Sequence, residues 1–242
     1  MESIVLSCFN TYQMKEITIG VENGIDVTPL LNTDYDSYQM KEIRLCIESG
    51  FDPSPLLNKD YNGYQMREIR WGMRDGVDYR VYADPRRKET QMHEIRLAML
   101  NGVKNLDSML RLDLRADQIV RMRFYLQEGI DISPYITPET DDTRMIVIYE
   151  CLKKNLNPNE YIDPKWTEPQ MFMIFMALSE GYPVKYLTQY DYSAEQMHEI
   201  LLGLKYKIDV SSFSNPNLSA EQMSVIRKKL TFKKLNREIS DY

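Results

Sequence analysis

The chain is expected to be all-α, an α-solenoid of about nine 26-residue repeats, each made of one α-helix and a short helical or 3₁₀ turn. Three observations predict this. The pattern Gln-Met-x-Glu-Ile recurs at Gln13, Gln39, Gln65, Gln91 and Gln196. Repeat starts fall at Gln13, Gln39, Gln65, Gln91, Gln118, Arg144, Gln170, Gln196 and Gln222, spaced by 26 residues apart from one step of 27 between Gln91 and Gln118. A fixed period of this size marks units that bury their apolar faces against one another. Glycine and proline are thinly spread, as in helices joined by short connections.

With the Gln numbered one, the helix is justified residue by residue. Position two is Met in every repeat but one, which has Ile119. Position five runs from Ile17 and Ile43 to Ile200 and Ile226, and position nine from Val21 to Leu230. Spacings of three and four put these positions on one stripe, the expected core face. Position eight is often small, as in Gly20, Cys46, Gly72, Ala98, Ala177 and Gly203, which suits close helix-to-helix approach. Three residues before the Gln stands an N-cap residue in most repeats (Asn10, Asp36, Asn62, Asp141, Thr167, Ser193, Ser219), with Lys88 and Arg115 as the exceptions. Position twelve is usually Gly, or Asn155 in one repeat, the residue type that ends a helix in the left-handed conformation. Segments such as Val27–Leu31 and Pro53–Leu57 are long enough only for a 3₁₀ turn with one or two inward apolar residues. The expected organisation is a single continuous stack: residues 1–12 as an N-terminal half-repeat cap, 13–221 as eight repeats, and 222–242 as a basic capping helix.

Composition narrows the function classes. The chain has 242 residues, 43% of them hydrophobic, enough for a cooperative core. A net charge of −6 does not announce a nucleic-acid partner. Cys8, Cys46 and Cys151 form no CxxC pair, which points to reduced thiols in a cytoplasmic protein rather than a disulfide framework or zinc site. The start lacks the basic region of a signal peptide, and no apolar run is long enough to span a membrane. No phosphate loop, GxSxG or HExxH occurs. No cofactor, metal or small-molecule substrate is expected, and the chain is read as a non-enzyme.

The pattern Gln-Met-x-Glu-Ile-Arg-x-Gly-x-x-x-Gly-x-Asp resembles a degenerate repeat of phage and mobile-element proteins, and covers essentially the whole chain. The helix-plus-short-helix alternation is similar to leucine-rich-variant α-solenoids, without the cysteine cluster of those that carry an iron–sulfur module. The resemblance implies a binding scaffold, for example an inhibitor or regulator of a host defence nuclease, in the manner of an anti-CRISPR protein. It transfers no catalytic residue.

The expected partner is a protein held along one face. Position seven (Ile19, Leu45, Trp71, Leu97, Phe124, Met176, Leu202) is apolar although it points well away from position five. It can pack on adjacent helices, form an exposed partner-binding stripe or mediate self-association. Position six carries Arg44, Arg70, Arg96, Arg123 and Arg227, and position four carries Glu16, Glu42, Glu68, Glu94 and Glu199. These read as surface ion pairs of small individual value, or as arginines lining a groove for carboxylates or phosphates. Asp26, Asp52, Asp78, Asp131 and Asp209 read as turn formers, and His93 and His198 as surface histidines. Nucleic acid is the alternative partner, through Arg80, Arg86, Arg87 and Lys88 after the third helix and Lys228, Lys229, Lys233 and Lys234 in the last repeat. The last segment, 222–242, has six basic and two acidic residues. The seventh helix, Met171–Leu178, is apolar all round; we read burial first and an exposed Met/Phe patch second.

Overall fold

The computed structural model describes residues 7–240, with side chains through Arg237. Residues 1–6 of the expected N-terminal cap and residues 241 and 242 of the capping helix lie outside the described residues. The described chain is all-helical, with no strand among its residues. The helices are α1 (Thr11–Glu22), α2 (Ser37–Glu48), α3 (Gly63–Asp75), α4 (Glu89–Leu100), α5 (Ala116–Gln127), α6 (Asp142–Lys153), α7 (Glu168–Glu180), the single turn α8 (Lys185–Thr188), α9 (Ala194–Lys205) and α10 (Ala220–Ser240). The long helices are the predicted repeats. Between them lie 3₁₀ turns such as Thr28–Leu30, Ser54–Leu56, Tyr79–Val81 and Val210–Ser212; α8 takes their place in the seventh repeat.

The repeats fall into two compact units, Met1–Gly129 and Ile130–Tyr242. In the first, α1 to α5 pack each against the next in chain order. In the second, α6 packs on α7, α7 on α9 and α9 on α10.

Helix ends follow the sequence signals. Asn10, Asp36, Asn62, Asp141 and Ser193 accept from backbone amides of the first turn. Lys88 and Arg115 cannot, yet their own backbone N–H groups still donate to Oε1 of Gln91 and Gln118, at 2.9 and 3.0 Å. Half of each capping box therefore survives without the cap residue. The left-handed glycines close their helices as expected, joined by Asn155 (φ 56°) and Lys207 (φ 53°).

The core stripe differs from expectation in one respect. Positions two and five are buried nearly throughout, but position nine is mostly half-buried, and Val21 is 60% exposed. Position eight is buried instead. The repeat's own 3₁₀ turn folds back onto it. A Cβ on Gly72 would stand 2.0 Å from Tyr82 Oη, and one on Gly203 would stand 2.7 Å from both Val210 and Phe213. At Gly20, Gly72 and Gly203 position eight is small because it seats the turn of its own repeat, while Cys46 also meets Met73 of the next helix. Helices α2 and α3 approach closely at Gly63, where a Cβ would lie 2.6 Å from Tyr38 Cβ.

Candidate interaction surface

The signature glutamine joins neighbouring repeats. Its Oε1 accepts from the N-cap amide of its own helix, and its Nε2 donates to backbone carbonyls 20 and 22 residues later. Gln39 reaches Tyr61 O at 2.6 Å and Lys59 O at 3.2 Å; Gln65 reaches Arg87 O and Pro85 O; Gln196 reaches Leu218 O and Pro216 O. Gln13 and Gln170 make the same link to Tyr35 and Tyr192, and Gln91, at the 27-residue step, reaches Leu114 O 23 residues on. Where Arg144 replaces the glutamine, its Nη2 donates to Trp166 O at 2.7 Å. Buried carbonyls need such partners.

The Glu/Arg rows also join repeats. Arg44 pairs with Glu16, Arg70 with Glu42, Arg96 with Glu68, Arg123 with Glu94 and Arg227 with Glu199, at 2.5 to 3.0 Å. The surface reading is corrected: Arg44, Arg96 and Arg227 are buried, and Arg70 and Arg123 nearly so. These arginines do not line an open groove, because each is spent on the glutamate of the preceding repeat. Arg96 continues to Asp75 at 2.6 Å and Arg44 to Glu48 at 2.6 Å. The ladder is shielded from above. The Trp71 ring lies against the guanidinium groups of Arg67 (4.8 Å), Arg96 (5.2 Å) and Arg74 (5.7 Å). His93 Nδ1 stands 3.2 Å from Glu68 Oε2 and from Arg96 Nη2.

Position seven is thus partly a roof over the ladder. Ile19, Leu45, Trp71 and Leu97 are half-buried in the first unit, where Phe124 is 51% exposed; Met176 and Leu202 are half-buried in the second. Beside this ridge in the first unit runs a row that the sequence reading passed over. Tyr12, Tyr38 and Tyr64, each just before its glutamine, are exposed, and the rings of Tyr38 and Tyr64 stack at 5.7 Å. Position three adds exposed Lys15 and Lys41, and Arg67 over the Tyr64 ring. The 26-residue spacing of these tyrosines was the available signal. A cavity of about 380 Å³ opens here, lined by Arg67, Trp71, Thr90, His93, Val120 and the glutamates Glu68, Glu89 and Glu94.

The second unit has a counterpart in a different chemistry. A cavity of about 480 Å³ is lined by Met173, Ala194, Ala220, His198 and the carboxylates of Glu195, Glu199 and Glu221. Ser193 and Ser219 donate to Glu195 and Glu221 at 2.7 Å, which holds both carboxyls below the usual range. The burial expected for the seventh helix is only partial. Met171, Ile174, Ala177 and Leu178 are buried, Met173, Phe175 and Met176 half-buried, and Phe172 is 48% exposed with its ring 5.9 Å from that of Phe175.

The residues nominated for nucleic acid are scattered in role. Arg80 and Arg86 are exposed but forked onto Asp78 and Asp84. Arg87, expected on a basic surface, is buried instead. It is 7% exposed, with Nη2 on Leu110 O at 2.6 Å and Nε and Nη1 buried without a partner. Desolvation lowers its pKa. It occupies the slot before the N-cap where other repeats have Tyr35, Tyr61 and Tyr192, whose neighbours in the chain gave no hint of a buried site. Lys88, Lys228, Lys229 and Lys233 are exposed, and Lys234 Nζ bonds the carbonyls of Tyr206 and Lys207 at the end of α9.

The five aspartates form turns: Asp26, Asp52, Asp78, Asp131 and Asp209 each accept from the amide two residues on. Burial pushes the Cys46 thiol up to about 11 and the Cys151 thiol up to about 12, leaving both protonated at neutral pH. Among the described residues no helix is long and apolar enough to cross a membrane, and no cluster of three metal-ligating side chains occurs. Comparison of the chain with protein-family models, curated proteins and solved structures gives no match.

Proposed function

We propose that the chain is a non-enzymatic scaffold that binds another protein along the outer face of its repeats. One observation carries this reading. The polar signature residues at positions one, four and six are consumed in joining repeat to repeat, while in the first unit the tyrosine row is exposed and positions three and seven are partly or fully exposed. A repeated apolar and aromatic stripe rimmed by charge is the usual composition of a protein-binding face. Under the mobile-element resemblance the partner is a host protein held inactive, a defence nuclease being the example.

The test is affinity capture from the native cell with wild type and with Trp71, Leu97 and Phe124 changed together to Ser, folding being checked by circular dichroism. Loss of the captured partner from the folded variant supports the reading. Equal recovery removes the first-unit ridge from it.

A nucleic-acid reading keeps one supporting observation, the exposed Lys228, Lys229 and Lys233 of α10. It requires a gel shift of DNA or RNA at low salt that weakens steeply as salt is added.

A further inference from the structure

We propose that the second unit carries its own docking surface, a groove across α7, α9 and α10 that takes a basic amphipathic helix of a partner polypeptide. This rests on the reading that the repeats bind proteins, and names the chemistry of one partner segment.

The Glu/Arg ladder is interrupted in the second unit. Four consecutive rungs run through the first unit. At the start of the second, the ladder positions are apolar: Val147 and Met173 at position four, Tyr149 and Phe175 at position six. The ladder resumes only with Glu199 and Arg227. Phe172, Met173 and Met176 share one side of α7 by their spacing. Phe172 turns half its surface to solvent, and the two methionines are half-buried. Methionine and phenylalanine together make an adaptable apolar surface for a helix lying in a groove.

Charge selects the occupant. Met173 also lines the open cavity of about 480 Å³, together with Ala194, Ala220 and His198. Its walls carry Glu195, Glu199 and Glu221. Glu199 is already paired with Arg227, but Glu195 and Glu221 have no ion-pair partner among the described residues. The second unit, residues 130–242, holds sixteen acidic and thirteen basic residues, a net charge of −3, with the basic residues of α10 concentrated from Arg227 onward and the carboxylates Glu195 and Glu221 at the groove itself. An apolar strip beside unneutralised carboxylates favours a helix with leucine-like residues on one side and lysine or arginine flanking them. At the groove itself these carboxylates disfavour an acidic segment over a basic one.

The test is direct titration of the full chain with a fluorescein-labelled synthetic leucine–lysine amphipathic helix of about four turns, followed by anisotropy. The controls are a leucine–glutamate analogue, a leucine–lysine peptide scrambled to abolish the apolar face, a single-stranded oligonucleotide and phosphatidylserine vesicles. The expected result is saturable binding of the amphipathic basic peptide alone. Phe172→Ser should weaken it about tenfold. Glu195→Gln with Glu221→Gln should weaken it several-fold and flatten its salt dependence. All three side chains are exposed, so these variants keep the fold, which circular dichroism checks. Equal binding of the scrambled peptide, unchanged affinity in both variants, or preference for the acidic peptide, oligonucleotide or vesicles would overturn the proposal. Success in cell capture with failure in this titration sinks the groove alone. The reverse result sinks the first-unit ridge and leaves the groove standing.

Discussion

At the scale of single residues, the glutamine at position one shows why a repeat keeps one amide and not its acid. A glutamate at the third helical position can complete a capping box as well as a glutamine. Only the amide can also donate, and Gln39 Nε2 does so to Tyr61 O at 2.6 Å in a buried setting. Gln39→Glu therefore loses a donor and brings a carboxylate against two carbonyls. The expected cost is about 1–3 kcal/mol, read as a lower urea midpoint at unchanged slope. The deficit should shrink as pH falls through the carboxylate range, because the protonated acid regains a donor. A deficit independent of pH would assign the glutamine to capping alone. The sequence displayed this residue plainly but hid its partner, since a carbonyl 22 residues away carries no side-chain signature. Arg87 was obscured in the opposite way. Set among Arg86 and Lys88 it reads as part of a basic surface cluster, yet register places it where other repeats bury a tyrosine.

At the scale of the element, each helix is shaped by the short turn that follows it. A helical wheel assigns positions two, five and nine to the core equally well with or without that turn. It has no means of knowing that the 3₁₀ segment returns to cover position eight, so the stripe was legible and its exact edge was not. Gly72 is the sharpest instance. Tyr82 is fully buried against it and donates its hydroxyl to Glu68 O at 2.9 Å, within the same helix as the glycine. A methyl at Gly72 would occupy the place of that hydroxyl. Alanine favours helix by about 1 kcal/mol over glycine, but overpacking and a broken buried hydrogen bond cost about 1–3 kcal/mol each. Gly72→Ala should be net destabilising. Removing the hydroxyl relieves the clash, since the next atom of that ring stands 3.2 Å away. The double variant Gly72→Ala, Tyr82→Phe should then lose clearly less than the sum of the two single changes. Strict additivity in chemical denaturation would show that the turn does not seat on position eight.

At the scale of the whole molecule, stability is assembled from links between adjacent repeats, and the two units draw on different links. The first relies on the buried Glu/Arg ladder; the second holds a contiguous apolar cluster running from Val147 through Met171, Ile174 and Tyr192 to Phe213. Both rows of the ladder were visible in the sequence at 26-residue spacing. Their burial was not, because it depends on neighbours in three dimensions, such as the rings of Trp71 against Arg96 and Phe124 against Arg123. A buried pair is costly to break from one side only, since the remaining charge is left without its counterion. Arg70→Met strands Glu42 and should cost about 3–5 kcal/mol, most of it recovered when Glu42→Gln is added. Links that act between nearest neighbours also predict where the damage is felt. Amide exchange should rise first in α2 and α3, which share the broken rung, less in α1 and α4, and hardly at all in α7 and α9. Exchange that rises equally in all of these helices would mean that the array unfolds as one cooperative body, and that the rungs are not the local ties their geometry describes.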